Sequence, residues 1–313
     1  MNELKLVKLE VVFLSPLFLP LSPITDYWTI TADHVPPSSF SGFILRTLLF
    51  MNNSNHLKGD FLPTTPTEGR YIRIERNDHR IINISWITEK KTHHKDFLAP
   101  YLELHFGAVS LGVYPLSILK GNEPKRGYVQ KYWNVIKYID SDELERGLKC
   151  GLKTWHYGVF GGTRVDKKKV QVYDIASVRH VIPLEKTYGF ILIKDPLLLS
   201  LVDKLRKGFF IMKGRLKTLY GIRVIEIMEP TNRKDADYML PTPRRVEKAT
   251  YTFRSAILDP EDVKKKASLP SIRLTYLRVK ASLSKKDVEY FVFFKDSNNE
   301  TYAIHKSWLD YLR

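Results

Sequence analysis

Apolar and polar positions take turns from the start of the chain. In LKLVKLEVVF, Leu4, Leu6, Leu9, Val11 and Phe13 mark one set, the two-residue period of a half-buried strand, and a long loop follows. At Pro36-Pro37 the period changes. Ser38 and Ser39 are side chains that accept hydrogen bonds from the unpaired amides of a helix start, and Phe40, Phe43, Ile44, Thr47, Leu48 and Met51 then recur at helical spacing. The spacing predicts a helix over 38–51, with Phe43 and Leu48 in the core, ended by Asn52-Asn53-Ser54-Asn55.

Residues 56–135 alternate short β-like runs (RYIRIE, RIINISWI, YLELHFGAV) with loops that carry proline and histidine, which reads as strands with insertions. A short helix is expected over 141–150, and hairpin strands from Tyr157 to Ile193. Asp195-Pro196 is a pre-organised helix start, an aspartate cap followed by proline at the first helical position. Leu198, Leu201, Val202 and Leu205 form the apolar stripe. Gly208 ends it after Lys204, Arg206 and Lys207, cations that suit the negative end of a helix dipole. GIRVIEIM, from Gly221, alternates as a strand. A polar linker to about Arg245 precedes strands near 250–256, 272–280 and 288–295 and a terminal helix over 307–313. Strand, capped helix, strands, leucine helix, basic loop and strand make a split βαβ pattern with large insertions and a β-rich tail.

Length and composition narrow the class. The chain has 313 residues, of which 43% are hydrophobic and 12% aromatic, enough apolar surface to offset chain entropy and fold. One cysteine, Cys150, excludes a disulfide framework and a cysteine-rich zinc cluster, and fits a reducing compartment, by default the cytoplasm. The apolar run VVFLSPLFLPL is broken by Pro16 and Pro20 and preceded by Glu3 and Glu10, which argues against a signal peptide or membrane span. Fifty Lys plus Arg against 34 Asp plus Glu leave a net charge of +16, which steers the molecule towards polyanions.

One cationic stretch is KGFFIMKGRLKTLYGIR, Lys207 to Arg223, which has three glycines and no acid. Glycines let a backbone approach a ligand, and free amides bind phosphate oxygens. Lys207, Lys213, Arg215, Lys217 and Arg223 would neutralise charge, and the Tyr220 ring would stack on a base. The plainer reading is a solvated basic hairpin whose aromatics are core. A second stretch, GVFGGTRVDKKKVQVYD, sets Gly161-Gly162 before Arg164, Lys167, Lys168 and Lys169, either a phosphate site or a solvated turn. A third, Val263 to Lys286, carries eight cations and no acid, an interaction face or a lysine-guarded edge strand. His93, His94 and His156 are the candidates for the acid–base pair of a metal-free ribonuclease. No P-loop, HExxH, paired-carboxylate or GxSxG pattern occurs, so no catalytic residue, metal ligand or cofactor is expected.

The order of these parts resembles the CRISPR-associated RAMP superfamily, in particular its group-five subunits. The opening strand followed by SPLFLP and then HVPPSSFSGFILRTLL resembles their helix start. GGTRVDKKKVQVYDIASVR is similar to their arginine-bearing strand pair, and the Gly208–Gly221 loop sits where they carry a glycine-rich loop after the second helix. The resemblance spans roughly residues 4–228 and implies an α+β fold: a ferredoxin-like (RNA-recognition-motif-like) domain with large insertions over 1–230, followed by a β-rich C-terminal region over 231–313. It further implies a non-catalytic RNA-binding subunit of a Cascade-like effector complex in antiviral defence, which caps one end and grips the 5′ handle of the guide RNA (crRNA). Partners would be the backbone and large subunits and the target nucleic acid. Type I and type III complexes both fit. Some members of the superfamily instead process CRISPR repeat RNA as metal-independent endoribonucleases, and that is the alternative.

Overall fold

The opening alternation becomes the strand Lys5–Phe13, and both its edges are paired. A computed structural model describes residues 4–15, 17, 19, 28–29, 32–52, 71–77, 80–87, 101–132, 135–140, 177–208, 210–213, 219–267 and 270–312. On one side the strand pairs antiparallel with Leu219–Thr231, with a register shift between Lys8 and Leu9, and on the other with Thr187–Ile193. Thr187–Ile193 in turn pairs antiparallel with Val109–Pro115. The helix Pro37–Asn52 connects the first and outermost of these strands, and the helix Pro196–Asp203 connects Thr187–Ile193 with Leu219–Thr231. Each helix thus joins two strands separated by a third. These are two interleaved split βαβ units, the ferredoxin-like arrangement, and the α+β expectation holds.

Strand alternation gives this sheet two apolar faces. Val7, Leu9, Val11, Ile191 and Ile222 pack under the two helices, against Phe40, Phe43, Ile44, Leu48, Leu198 and Val202. Phe40 lies so close over Gly189 that a Cβ there would collide with its ring, so the strand needs glycine at that point. The predicted helix boundaries are met within one residue, and Phe43 and Leu48 are buried as expected. Leu6, Phe190, Leu192 and Met228, on the opposite face, pack against the C-terminal region through Phe293, Phe294, Tyr302 and Trp308.

That region continues the same sheet. The far end of Leu219–Thr231 pairs with Phe291–Lys295, which pairs with Thr301–His305, and Tyr238–Met239 adds parallel to the latter. Tyr251–Leu258 and Ile272–Val279 form a separate two-stranded ribbon. The strand Thr301–His305 and the short strand Tyr238–Met239, inside the expected linker, were not foreseen. The terminal helix is a 3-10 helix, Lys306–Tyr311, whose first turn is held by the His305 ring accepting from the Ser307 amide at 3.0 Å. The insertions carry a hairpin, Tyr71–Asn77 with Arg80–Ile87, and a small sheet of Trp28–Thr29, Ser177–Pro183, Arg126–Tyr132 and Val135–Asp140. The expected helix over 141–150 lies outside the described residues, and among those residues no helix is long and apolar enough to cross a membrane.

One expected β run is broken. Within YLELHFGAV, Leu102–His105 is a helical turn and the strand begins only at Val109, which turns the Glu103 side chain inward. Its carboxylate accepts from the Ser41 hydroxyl at 2.9 Å and the Ser110 amide at 3.0 Å, tying the first helix to the outermost core strand. Burial pushes this carboxyl up to about 7, although its hydrogen bonds to backbone amides and Ser41 pull the other way.

Candidate nucleic-acid interface

The basic stretch after the second helix is a hairpin rooted in the sheet. Asp195 caps the helix by accepting from the amides of Leu197 and Leu198 at 2.7 and 2.9 Å, and buried Leu198, Val202 and Leu205 fasten helix and turn to the sheet. The 3-10 turn Lys204–Lys207 follows. Gly208 leaves it in extended backbone, and a side chain there would meet open space, so neither conformation nor packing demands glycine. The strand Phe210–Lys213 then pairs antiparallel with Leu219–Ile222, Lys213 standing opposite Leu219. Two bonds clamp the returning strand to the end of the first one: Leu14 donates its amide to the Leu219 carbonyl at 2.8 Å, and the Leu219 amide donates to Ser15 Oγ at 2.6 Å.

The predicted site residues are placed unevenly on this frame. Lys204 and Lys207 are exposed, and among the described residues neither has an acidic partner. Arg206 pairs with Asp203 at 2.6 Å on the open surface, where such a pair contributes little. Arg223 lies on the sheet face away from the helices, its guanidinium 2.6 Å from Glu10 Oε2. Tyr220 is corrected. Its side chain is 0% exposed, its ring stacks on Phe43 with centroids 4.3 Å apart, and its hydroxyl donates to the Phe43 carbonyl at 3.3 Å, so no base reaches it. Lys213 lies in the short strand of the hairpin. Arg215 and Lys217, together with Arg164, Lys167, Lys168, Lys169, His93, His94 and His156, lie outside the described residues.

Half of the sheet face opposite the helices is closed. In an RNA-recognition motif the bases stack on that face. Here Phe190 and Leu192 lie under the C-terminal region, and Lys8 inserts its ammonium between the Tyr188 and Tyr302 rings, 5.0 and 4.8 Å from their centroids, with Asp296 at 3.7 Å and the Tyr302 hydroxyl in contact. This lysine is committed to the interior. What stays open beside the hairpin is the end of the sheet carrying Glu10, Val12 and Arg223.

One arrangement escaped sequence reasoning. His34 Nε2 lies 2.8 Å from Ser255 Oγ and its Nδ1 lies 3.1 Å from Asp33, which also holds Arg126 at 2.5 Å. Burial alone would raise the Asp33 carboxyl, but its contacts with His34 and Arg126 outweigh that and hold it below the usual carboxylate value. The connectivity is that of a serine nucleophile, base and orienting acid. The surroundings forbid that chemistry, because Ser255 is fully buried and the imidazole is enclosed by Tyr114 and Phe253, at 5.7 and 4.7 Å between centroids. It is a polar strut joining the segment before the first helix to the C-terminal ribbon. Nothing in the sequence signals it, since His34 and Ser255 are 221 residues apart.

The chain matches no family pattern and no curated protein sequence. Among solved structures it is similar to a chain of the Type III-B Cmr-beta bound to cognate target RNA, with 12% identity, a TM-score of 0.32, and 88% of this chain and 85% of that chain covered. It is also similar to a chain of the Type III-B Cmr-beta bound to cognate target RNA and AMPPnP, with 12% identity, a TM-score of 0.31, and 96% and 99% covered.

Proposed function

We propose that this chain is a non-catalytic RNA-binding subunit of a CRISPR effector complex, which grips the 5′ handle of the guide RNA and caps the end of the assembly beside the backbone and large subunits. The observation that carries the reading is the hairpin. A cation-rich, acid-free stretch, which begins at exposed Lys207 and runs to Arg223, is rooted on the ferredoxin-like sheet next to exposed Lys204, in a chain with a net charge of +16. A rigid root matters because phosphate contacts fix the register of the bound strand only if the cations themselves are fixed. Since half the sheet face is filled, RNA takes the hairpin and the sheet end beside it.

The test is salt dependence. Each cation that contacts a phosphate of single-stranded RNA releases condensed counterion, so its loss lowers the slope of log affinity against log salt by about 0.7. The triple variant Lys213→Ala, Arg215→Ala, Lys217→Ala is expected to weaken binding of repeat-handle RNA and scrambled RNA alike and to flatten the slope. Unchanged affinity and slope would reduce the stretch to a solvated hairpin. Repeat RNA incubated with the protein without metal is expected to stay intact. Cleavage abolished by His93→Ala, His94→Ala or His156→Ala would replace this reading with the endoribonuclease.

A further inference from the structure

The two-stranded ribbon of Tyr251–Leu258 and Ile272–Val279 has one satisfied face. Phe253, Ile257, Leu277 and Val279 are buried against the body, and Ser38 of the first helix donates to the Ala256 carbonyl at 3.1 Å. The other face presents Ile272, Leu274 and Tyr276 at successive outward positions, 55%, 45% and 49% exposed. A solvated strand face ordinarily alternates into polar residues at these positions, and a run of apolar ones marks a contact surface. Across the ribbon, Arg254 stands opposite Tyr276, its guanidinium 5.8 Å from the ring centroid, and Thr252 opposite Arg278, with no acid on this face.

The ribbon also has an open edge. Arg278 exchanges both backbone hydrogen bonds with Thr242, amide to carbonyl at 2.9 and 3.0 Å, so its main-chain groups point away from Tyr251–Leu258. By the two-residue period of a strand, those of Tyr276 and Leu274 point to the same edge, where among the described residues no strand pairs with them. The Tyr276 carbonyl on this edge accepts from the side chain of Arg278 at 3.2 Å, a bond that an incoming backbone amide can replace, and an edge without a strand partner beside an apolar stripe is a template for one more strand. A nucleic acid strand offers no matching ladder of donors and acceptors and no apolar side chains for Ile272 and Leu274. A polypeptide offers both.

We infer that this ribbon is a protein-docking site: an extended segment of a partner, alternating apolar and acidic side chains, adds as a third strand along Ile272–Tyr276. Its apolar side chains cover Leu274 and Tyr276, and its carboxylates meet Arg254, Arg278 and the exposed Arg244 and Arg245 of the loop beyond Thr242. The site does not depend on the RNA reading. The experiment uses the full chain and fluorescent synthetic peptides of about nine residues, one alternating Glu and Val, one with prolines replacing alternate residues, and one alternating Lys and Val. The Glu–Val peptide is expected to bind saturably and the other two at least tenfold more weakly, since proline removes the ladder donors and lysine repels. Tyr276→Asp, on an exposed position, is expected to abolish Glu–Val binding, and Arg254→Glu to shift preference towards the Lys–Val peptide, both with the thermal midpoint retained. Equal binding of the proline peptide, or no change in either variant, overturns the inference. If Tyr276→Asp leaves peptide binding intact and weakens oligouridine binding, the face belongs to RNA and the inference is likewise wrong.

Discussion

Replacing Glu103 by Gln should change the pH dependence of stability more than its magnitude at acid pH. The carboxyl is buried between Ser41 and Ser110, and its folded value is about 7 against an ordinary 4.5. A carboxyl raised in the folded state keeps its proton where the unfolded chain has already lost it, so folding is penalised progressively as pH rises from the unfolded value to the folded one and by a constant amount above it. At 1.36 kcal/mol per pH unit, the penalty accumulated between about pH 5 and about pH 8 is roughly 2 to 3 kcal/mol. A glutamine never ionises. Its carbonyl still accepts from the Ser110 amide, and its amino group donates to Ser41 Oγ, whose proton then turns elsewhere. Urea unfolding of both proteins across this range is the assay. The difference in unfolding free energy, variant minus wild type, is expected to grow by about 2 to 3 kcal/mol from the acid to the alkaline end. Asp33 and Asp287, both held below the ordinary carboxylate value, lose their contribution only in more acid solution and cancel in the comparison. Parallel curves for the two proteins would refute the reasoning.

Two further substitutions probe the packing under the helices. Phe43→Ala and Tyr220→Ala each remove half of one buried ring stack and are expected to lower stability by about 3 to 5 kcal/mol in denaturant titration. RNA affinity per folded molecule should be unchanged in Tyr220→Ala, whereas a base-stacking tyrosine would lose about 1 to 3 kcal/mol of binding. Gly189→Ala places a methyl against the Phe40 ring and is expected to destabilise by about 1 to 3 kcal/mol, and an unchanged midpoint would mean that the helix can lift off the strand freely.

Local signals carried well from sequence to structure where the cause is local. The Asp195-Pro196 cap acts through the amides of Leu197 and Leu198, and the second helix starts where it put it, whereas the first starts at Pro37, so that Ser38 lies inside it and donates its hydroxyl to the distant Ala256 carbonyl rather than accepting from a helix-start amide. Alternation in LKLVKLEVVF marked the strand but grouped its residues wrongly: Leu4 and Leu6 lie on the face under the C-terminal region, opposite Leu9, Val11 and Phe13, and Val7 joins the helix side, because both faces are covered, a fact set by strands far along the chain. The same limit misled the reading of Tyr220. Among glycines and cations a tyrosine reads as a stacking platform, and only the tertiary position of Phe43 shows that it is core. Glu103 was unreadable for the related reason that its two partners belong to different elements.

Lys8 also bears on timing. The strand Lys5–Phe13 is made before its partners, since it is paired on both edges by segments around 190 and 225, and the Lys8 ammonium finds the Tyr302 hydroxyl 294 residues downstream. Contacts this distant close slowly. Until they close, Leu6, Val7, Leu9 and Val11 form an unpaired strand, the kind of segment that sticks to its like in a crowded cell. Lys5, Lys8 and Glu10 interrupt the apolar run through that interval. A charge that is awkward inside the finished protein, and must be cushioned there by Tyr188, Tyr302 and Asp296, thereby acts as a guard while the rest of the chain is still being synthesised.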